Sequence, residues 1–171
     1  FSDDAAGMEQ AISHLEAAGH SRISHISAPS SQLSDRRRDG YISVMVEHGL
    51  VPHVVEGDLT EAGGRRATAD ITAHSPAPTA VIAHNDVTAV GLLSGLQQIG
   101  TAVPEQMAVV GFDNTQLSAV AAINLTTVDQ HARELGAVAA RMMMERLADP
   151  ALPSRAIAVP PTLIVRGSTQ S

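Results

Sequence analysis

Between Asp4 and Gly19 the apolar residues fall at Met8, Ala11, Ile12 and Leu15, the i, i+3, i+4, i+7 spacing that gathers one stripe on one side of a helix. An acidic start and a glycine stop frame that stripe, as helix ends favour. Residues 22–28 then predict a short strand around Ile23 and Ile26. The plan repeats: residues 34–49 predict a helix with Tyr41, Val44 and Met45 inward, and His53-Val54-Val55-Glu56 a second strand. A third helix is expected from Thr60 and Glu61 through Ile71, ended by Pro76-Ala77-Pro78 before the apolar strand 79–83. A fourth runs from Asp86 to Gly100 with Ala89, Val90, Leu93 and Leu96 inward.

Residues 107–112 are apolar at nearly every position, which suits a strand covered by helices on both faces. A strand at 125–128 and a helix at 131–147 follow, the helix with Leu135, Val138, Ala139 and Met142 inward. The tail, 156–165, reads as two short strands separated by Pro160-Pro161. Strands joined by single helices cross over right-handedly, so the expected class is α/β, an open, doubly wound parallel sheet. Ligands of such sheets sit just beyond the carboxyl ends of the strands.

Composition narrows the function. The chain has 171 residues, 44% hydrophobic and 17% charged, enough for one domain with a real core. No run approaches the ~20 apolar residues that span a bilayer. Phe1-Ser2-Asp3-Asp4 carries neither a basic leader nor an apolar signal core, so a cytoplasmic protein is expected. Cysteine is absent, which removes disulfides, thiolate catalysis and cysteine-held metals. The net charge is −7 and all 11 basic residues are arginines, so this stretch offers no broad cationic face to DNA phosphates. Aromatic residues make up only 2%, so a ligand must be held by hydrogen bonds and aliphatic contacts rather than a stacking floor.

Catalytic signatures are lacking: there is no G-x-S-x-G elbow or Walker loop, and Gly63-Gly64 lacks dinucleotide-binding spacing. His14, His20 and His25 form no H-E-x-x-H or comparable metal pair. Met142-Met143-Met144 reads as gap-filling core with one exposed position. Neither an enzyme, a cofactor nor a metal is expected.

The positions after the strands form a short polar list: residues 30–38, Gly57-Asp58-Leu59, His84-Asn85-Asp86 and Asp113-Asn114. Amides, carboxylates and an arginine fork suit vicinal hydroxyls or a carboxylate, so a small polyhydroxylated ligand is the natural match. Each has a plainer alternative. Asp86 stands where a helix N-cap is favoured, and Asn85 is either a turn residue or a rim contact. Arg36-Arg37-Arg38 is either a solvated helical turn or a run that sends one arginine toward the cleft, since helical spacing turns the three in different directions. Asp113 either caps a turn or meets ligand.

Several strings occur in the order found in LacI/GalR regulators: Pro78-Thr79-Ala80-Val81, Asn85-Asp86, Val103-Pro104, Val109-Val110-Gly111-Phe112-Asp113-Asn114, Leu125-Thr126-Thr127-Val128 with Gln130, and Val165-Arg166-Gly167-Ser168-Thr169. His14-Leu15, Gly19-His20 and Arg22-Ile23 match as well. Over essentially its whole length the chain resembles the effector-binding part of that family. The resemblance implies a periplasmic-binding-protein-like type I fold of two lobes, preceded by a helix-turn-helix head that reads an operator. It implies that residues 1–128 form the C-terminal lobe, that 129–148 is a crossover helix belonging to the N-terminal lobe, and that 149–171 return to the C-terminal lobe.

Carried over residue by residue, the resemblance implies effector contacts at Arg37, Asn85 and Asp113, with Gln130 at the lobe crossover and Asp3 where the chain enters the lobe. Ser31 and Leu33 occupy loop positions that tune specificity. Leu59 departs from the pattern, because sugar- and purine-binding relatives often carry an aromatic ring there. The implied partners are a small effector, expected to be a sugar, a second copy of the chain meeting through this lobe, and operator DNA only through a head outside these residues. A transporter's sugar-binding protein shares the fold and stands as the alternative.

Overall fold

Alternation within one short strand decides the architecture: Ala80 and Ile82 enter one apolar layer while Val81 and Ala83 enter the other. A strand apolar on both faces must be covered on both, and helices joined to parallel strands supply the cover. The computed structural model describes residues 1–170, apart from the side chains at positions 32 and 33. Its elements are α1 (Asp4–Ala17), β1 (Ile23–Ser27), α2 (Gln32–Glu47), β2 (His53–Glu56), α3 (Glu61–Ala73), β3 (Ala80–Ala83), α4 (Asp86–Gln98), β4 (Ala108–Phe112), β5 (Thr126–Asp129), α5 (Ala132–Ala148) and β6 (Thr162–Ile164). Short 3₁₀ turns occupy Gln116–Ala119 and Gly167–Thr169.

The six strands lie in the order β2-β1-β3-β4-β5-β6. The first five are mutually parallel. β6 is antiparallel, pairing Thr127 with Ile164, so the sheet is mixed at one edge where the sequence suggested only parallel strands. Of the two strands expected in the tail, the one before Pro160 is reduced to a single bridge between Ser2 and Val159. Pro160 and Pro161 follow it at once, and neither has an N–H to continue a ladder.

Helices α1 and α2 cover one face through Met8, Ile12, Leu15, Tyr41 and Met45. Helices α3 and α4 cover the other through Ala67, Ile71, Leu92 and Leu96. The α3–α4 approach depends on small residues: a Cβ on Gly64 would come within 2.0 Å of the Thr88 carbonyl oxygen, and one on Gly91 within 1.9 Å of that of Glu61.

The last helix behaves differently. None of its residues is buried. Leu135, Val138 and Met142 are only half-covered and Ala139 is exposed, while Met143 and Met144 are 62% and 67% exposed. The inward face and the methionine core expected of this helix therefore find no core among the described residues. Its apolar stripe is as regular as those of the buried helices; what it lacks is a layer to pack on. No helix among the described residues is long and apolar enough to cross a membrane.

Candidate ligand-binding site

The strand order reverses between β1 and β3, and that reversal opens a crevice at the carboxyl ends of the strands. α2 starts just after β1, and the spacing of its three arginines sends one inward. Arg37 is 2% exposed, whereas Arg36 and Arg38 stay at the surface. Arg38 pairs with Asp35 and Asp39 on its own helix.

Each of the three guanidinium nitrogens of Arg37 has a partner. Its Nε lies 3.4 Å from Asp4 Oδ1, its Nη1 donates to the His84 carbonyl oxygen at 2.8 Å, and its Nη2 donates to Asp113 Oδ1 at 3.2 Å. The plane rests 3.9 Å over the Phe112 ring, a favourable place for a cation. The site thus joins α1, α2, β3 and β4. A buried arginine requires such partners, because an unpaired charge there would be prohibitively costly.

Asp113 follows the last residue of β4 with φ at 105°, and Asn114 comes next at 47°. Positive φ is strained for side chains other than glycine and turns the chain sharply here. Gln130 Nε2 donates to the same Asp113 Oδ1 at 2.9 Å. No hydrogen bond reaches Oδ2 among the described residues, and the side chain is 26% exposed, so one carboxylate oxygen remains for a ligand. Burial pushes the Asp113 carboxyl up to about 6, against the pull of Arg37 and aided by the nearby charge of Asp86. Burial and Arg37 together hold His84 down to about 4, so its imidazole is neutral at physiological pH. A recess of about 360 Å³ lies beside Asp113, between Asp129 and the start of α5.

At the end of β3 the roles of two neighbours exchange relative to the sequence reading. Asn85, not Asp86, is the N-cap of α4, accepting from the Thr88 N–H at 2.9 Å. Its side-chain NH₂ makes no hydrogen bond among the described residues. Asp86 is the first helical residue, fully buried. It accepts from the Thr115 N–H at 2.6 Å, the Thr115 hydroxyl at 2.8 Å and the Thr127 hydroxyl at 2.5 Å. Three donors and a helix N-terminus satisfy a carboxylate better than one cap bond does. The same carboxylate explains Gly111, where a Cβ would come within 2.4 Å of Asp86 Oδ1.

The structure therefore brings Arg37, Asp113 and Gln130 into contact, with Asn85 following the residue that binds Arg37. Asp3 caps α1 by accepting from the Ala6 N–H at 3.1 Å, and exposed Ser31 caps α2 through the Ser34 N–H at 3.2 Å. Leu59 is 44% exposed in the β2–α3 loop with φ at 66°, and it does not join the cluster. The side chain of Leu33 lies outside the described residues. The sequence reading missed Asp4, the buried partner of Arg37, whose carboxyl is raised by burial against the pull of that arginine. Its signal was the doubling Asp3-Asp4, one acid more than a cap requires. Asp4 Oδ2, Ser2 Oγ and His84 Nδ1 are all buried without a partner, so the floor of the site keeps unspent polar groups.

The fold matches a known class. The model of the periplasmic binding protein-like domain matches residues 12–169. The ribose operon repressor of Escherichia coli (strain K12) is 34% identical over 166 residues, 95% of this chain and 50% of the repressor. A crystal structure of a LacI transcriptional regulator from Rhodococcus superposes with a TM-score of 0.93 at 31% identity, covering 98% of this chain and 63% of that one. A LacI family regulator from Enterococcus faecium, solved with bound ribose, gives 0.87 at 27% identity, covering 98% and 63%. The chain belongs to the periplasmic binding protein-like domain family, in the form that LacI/GalR regulators carry as their effector-binding domain. It spans about half the length of the curated relatives it matches.

Proposed function

We propose that this chain is the C-terminal lobe of the effector-sensing unit of a cytoplasmic transcriptional repressor, that it takes a small sugar in an interlobe cleft, and that it carries out no catalysis. The observation that carries this reading is the buried Arg37, held by Asp4 and the His84 carbonyl with Asp113 at its outer edge. A fork already fixed in place loses little freedom when hydroxyls arrive. Arg37, Asn85, Asp113 and Gln130 hold the effector; Asp3 and Ser31 fix the helix starts that frame the cleft; Leu59 leaves its edge without an aromatic floor. The relatives named for ribose, or solved with it, support a sugar of that size.

Residues 1–128 and the tail 149–171 form this lobe, and 129–148, containing α5, belongs to the opposite lobe. Support comes from the apolar stripe of α5, which has no layer to pack on. The lobe pairs with a second copy through α4 and the turn that packs beside it; the exposure of Val87, Leu117 and Val120 supports this surface. Operator DNA is read by a head outside this chain, in keeping with its net charge of −7.

A thermal-shift screen of the intact protein against pentoses, hexoses and disaccharides tests the reading. A sugar at a hundred times its dissociation constant adds ~2.7 kcal/mol, a rise of roughly 5–10 °C. No shift with any sugar contradicts it.

A further inference from the structure

At the opposite end of the sheet, where β1 and β2 begin, a second cavity of about 430 Å³ opens between the loops preceding β2 and β3. Its size is that of a small-molecule pocket, and it lies at the amino ends of the strands, away from the Arg37–Asp113 crevice. Leu50, Val51, Pro52 and Pro78 make most of its wall apolar.

Three polar groups enter it with hydrogen-bonding capacity to spare. The imidazoles of His53 and His74 stack with centroids 3.7 Å apart and planes 20° from parallel. His53 Nδ1 is taken by Ser24 Oγ at 2.7 Å, which leaves Nε2, and His74 makes no hydrogen bond among the described residues. Burial, with His74 alongside, holds His53 below the ordinary histidine range. Arg22 stands at the mouth. Its Nε donates to the Ala77 carbonyl oxygen at 2.7 Å, which fixes the side chain, while its terminal nitrogens form no ion pair among the described residues.

We propose that this cavity is a second ligand site, separate from the effector cleft, and that it takes a small planar aromatic carboxylate. The apolar wall and the imidazole pair accept the ring, and the anchored guanidinium accepts the carboxylate in its two-pronged geometry. Among the described residues, Arg22 carries the one unpaired formal charge lining the cavity and no acidic side chain lines it, so an anion is favoured over a neutral or cationic ring. A sugar is disfavoured by the same wall, which offers few partners for hydroxyls.

The test is calorimetric titration of the intact protein with 2-naphthoate, with and without saturating ribose. One site per chain is expected, unchanged by ribose. Arg22→Gln weakens binding roughly tenfold or more by removing the charge-assisted pair, and Val51→Trp, which fills the cavity from an exposed position, abolishes it. Circular dichroism of both variants checks that they are folded, and the neutral amide of the same ring should bind at least tenfold more weakly. Absence of binding overturns the proposal. So does naphthoate binding that Arg37→Gln removes and Val51→Trp leaves intact, since the ligand would then occupy the effector cleft. Equal binding of acid and amide overturns the role given to Arg22. Because the readout does not depend on sugar, failure here leaves the effector reading standing, and failure of that reading leaves this site standing.

Discussion

The body of the sheet and its carboxyl-end rim use the same strands for opposite purposes. In the body, Ile82, Val109, Val110, Leu92 and Leu96 are fully buried and apolar, and burial there is favourable without conditions. A few residues further along, the same strands deliver His84, Asp86 and Asp113 into a site where charge is withdrawn from water. The body stabilises the fold. The rim accepts a penalty, and on the function proposed here that penalty keeps its groups ready for a ligand, a common trade at functional sites.

Substitutions separate these roles. The largest effect is expected from Arg37→Leu, which strips Asp4 and Asp113 of their cation: breaking a buried pair costs about 3–5 kcal/mol, and effector binding is lost as well. Chemical denaturation and calorimetry check both arms. Leu92→Ala in the body should cost about 2–5 kcal/mol yet leave sugar affinity per folded molecule unchanged. A loss of affinity there would break the separation.

Asp113→Asn sharpens the comparison, because its two readouts move in opposite directions. The folded carboxyl titrates at about 6, above its ordinary value of 3.8. The native state therefore holds a proton that the unfolded chain has released across that window, and stability falls as pH rises from about 4 to about 6. Removing the charge should raise Tm at pH 7, with the gain shrinking toward pH 4. Affinity should nevertheless fall about ten- to hundredfold, since a charged acceptor is gone. By the same titration, the parent protein should bind its effector more weakly at pH 5 than at pH 7.

The smallest effect is reserved for a surface contact far from the rim. His48 caps α2 and bridges Glu16 and Glu9 of α1. Its hydrogen bond to Glu16 and the neighbouring charges raise its pKa, so its contribution is complete below the ordinary histidine value and fades as pH rises through the raised one. His48→Gln should lower Tm slightly at pH 6 and less at pH 8, without touching affinity.

The same contrast explains what could be read in advance. The body was legible because period-2 and period-3.6 spacing of apolar residues is a local property; α1, α4 and β4 lie within a few residues of where it placed them. At the rim, the residue types and the strand ends were legible, and partner choice was not. Whether Arg36, Arg37 or Arg38 turns inward depends on Asp4, far away in sequence. Asn85 rather than Asp86 caps α4, because Thr115, in the loop after β4, and Thr127, on β5, arrive from later in the chain to hold the Asp86 carboxylate. The stripe on α5 was equally plain, but periodicity says that a face is apolar, not what covers it.

If the Arg37–Asp113 rim is the effector site, its ionised carboxylate is kept at a cost to stability. Calorimetric titration of the intact protein and its Asp113→Asn variant with ribose and other pentoses at pH 7, paired with melting curves, tests it most directly. The expected variant melts no lower than the parent and binds at least tenfold more weakly. A variant that binds sugar as tightly as the parent would place the site elsewhere.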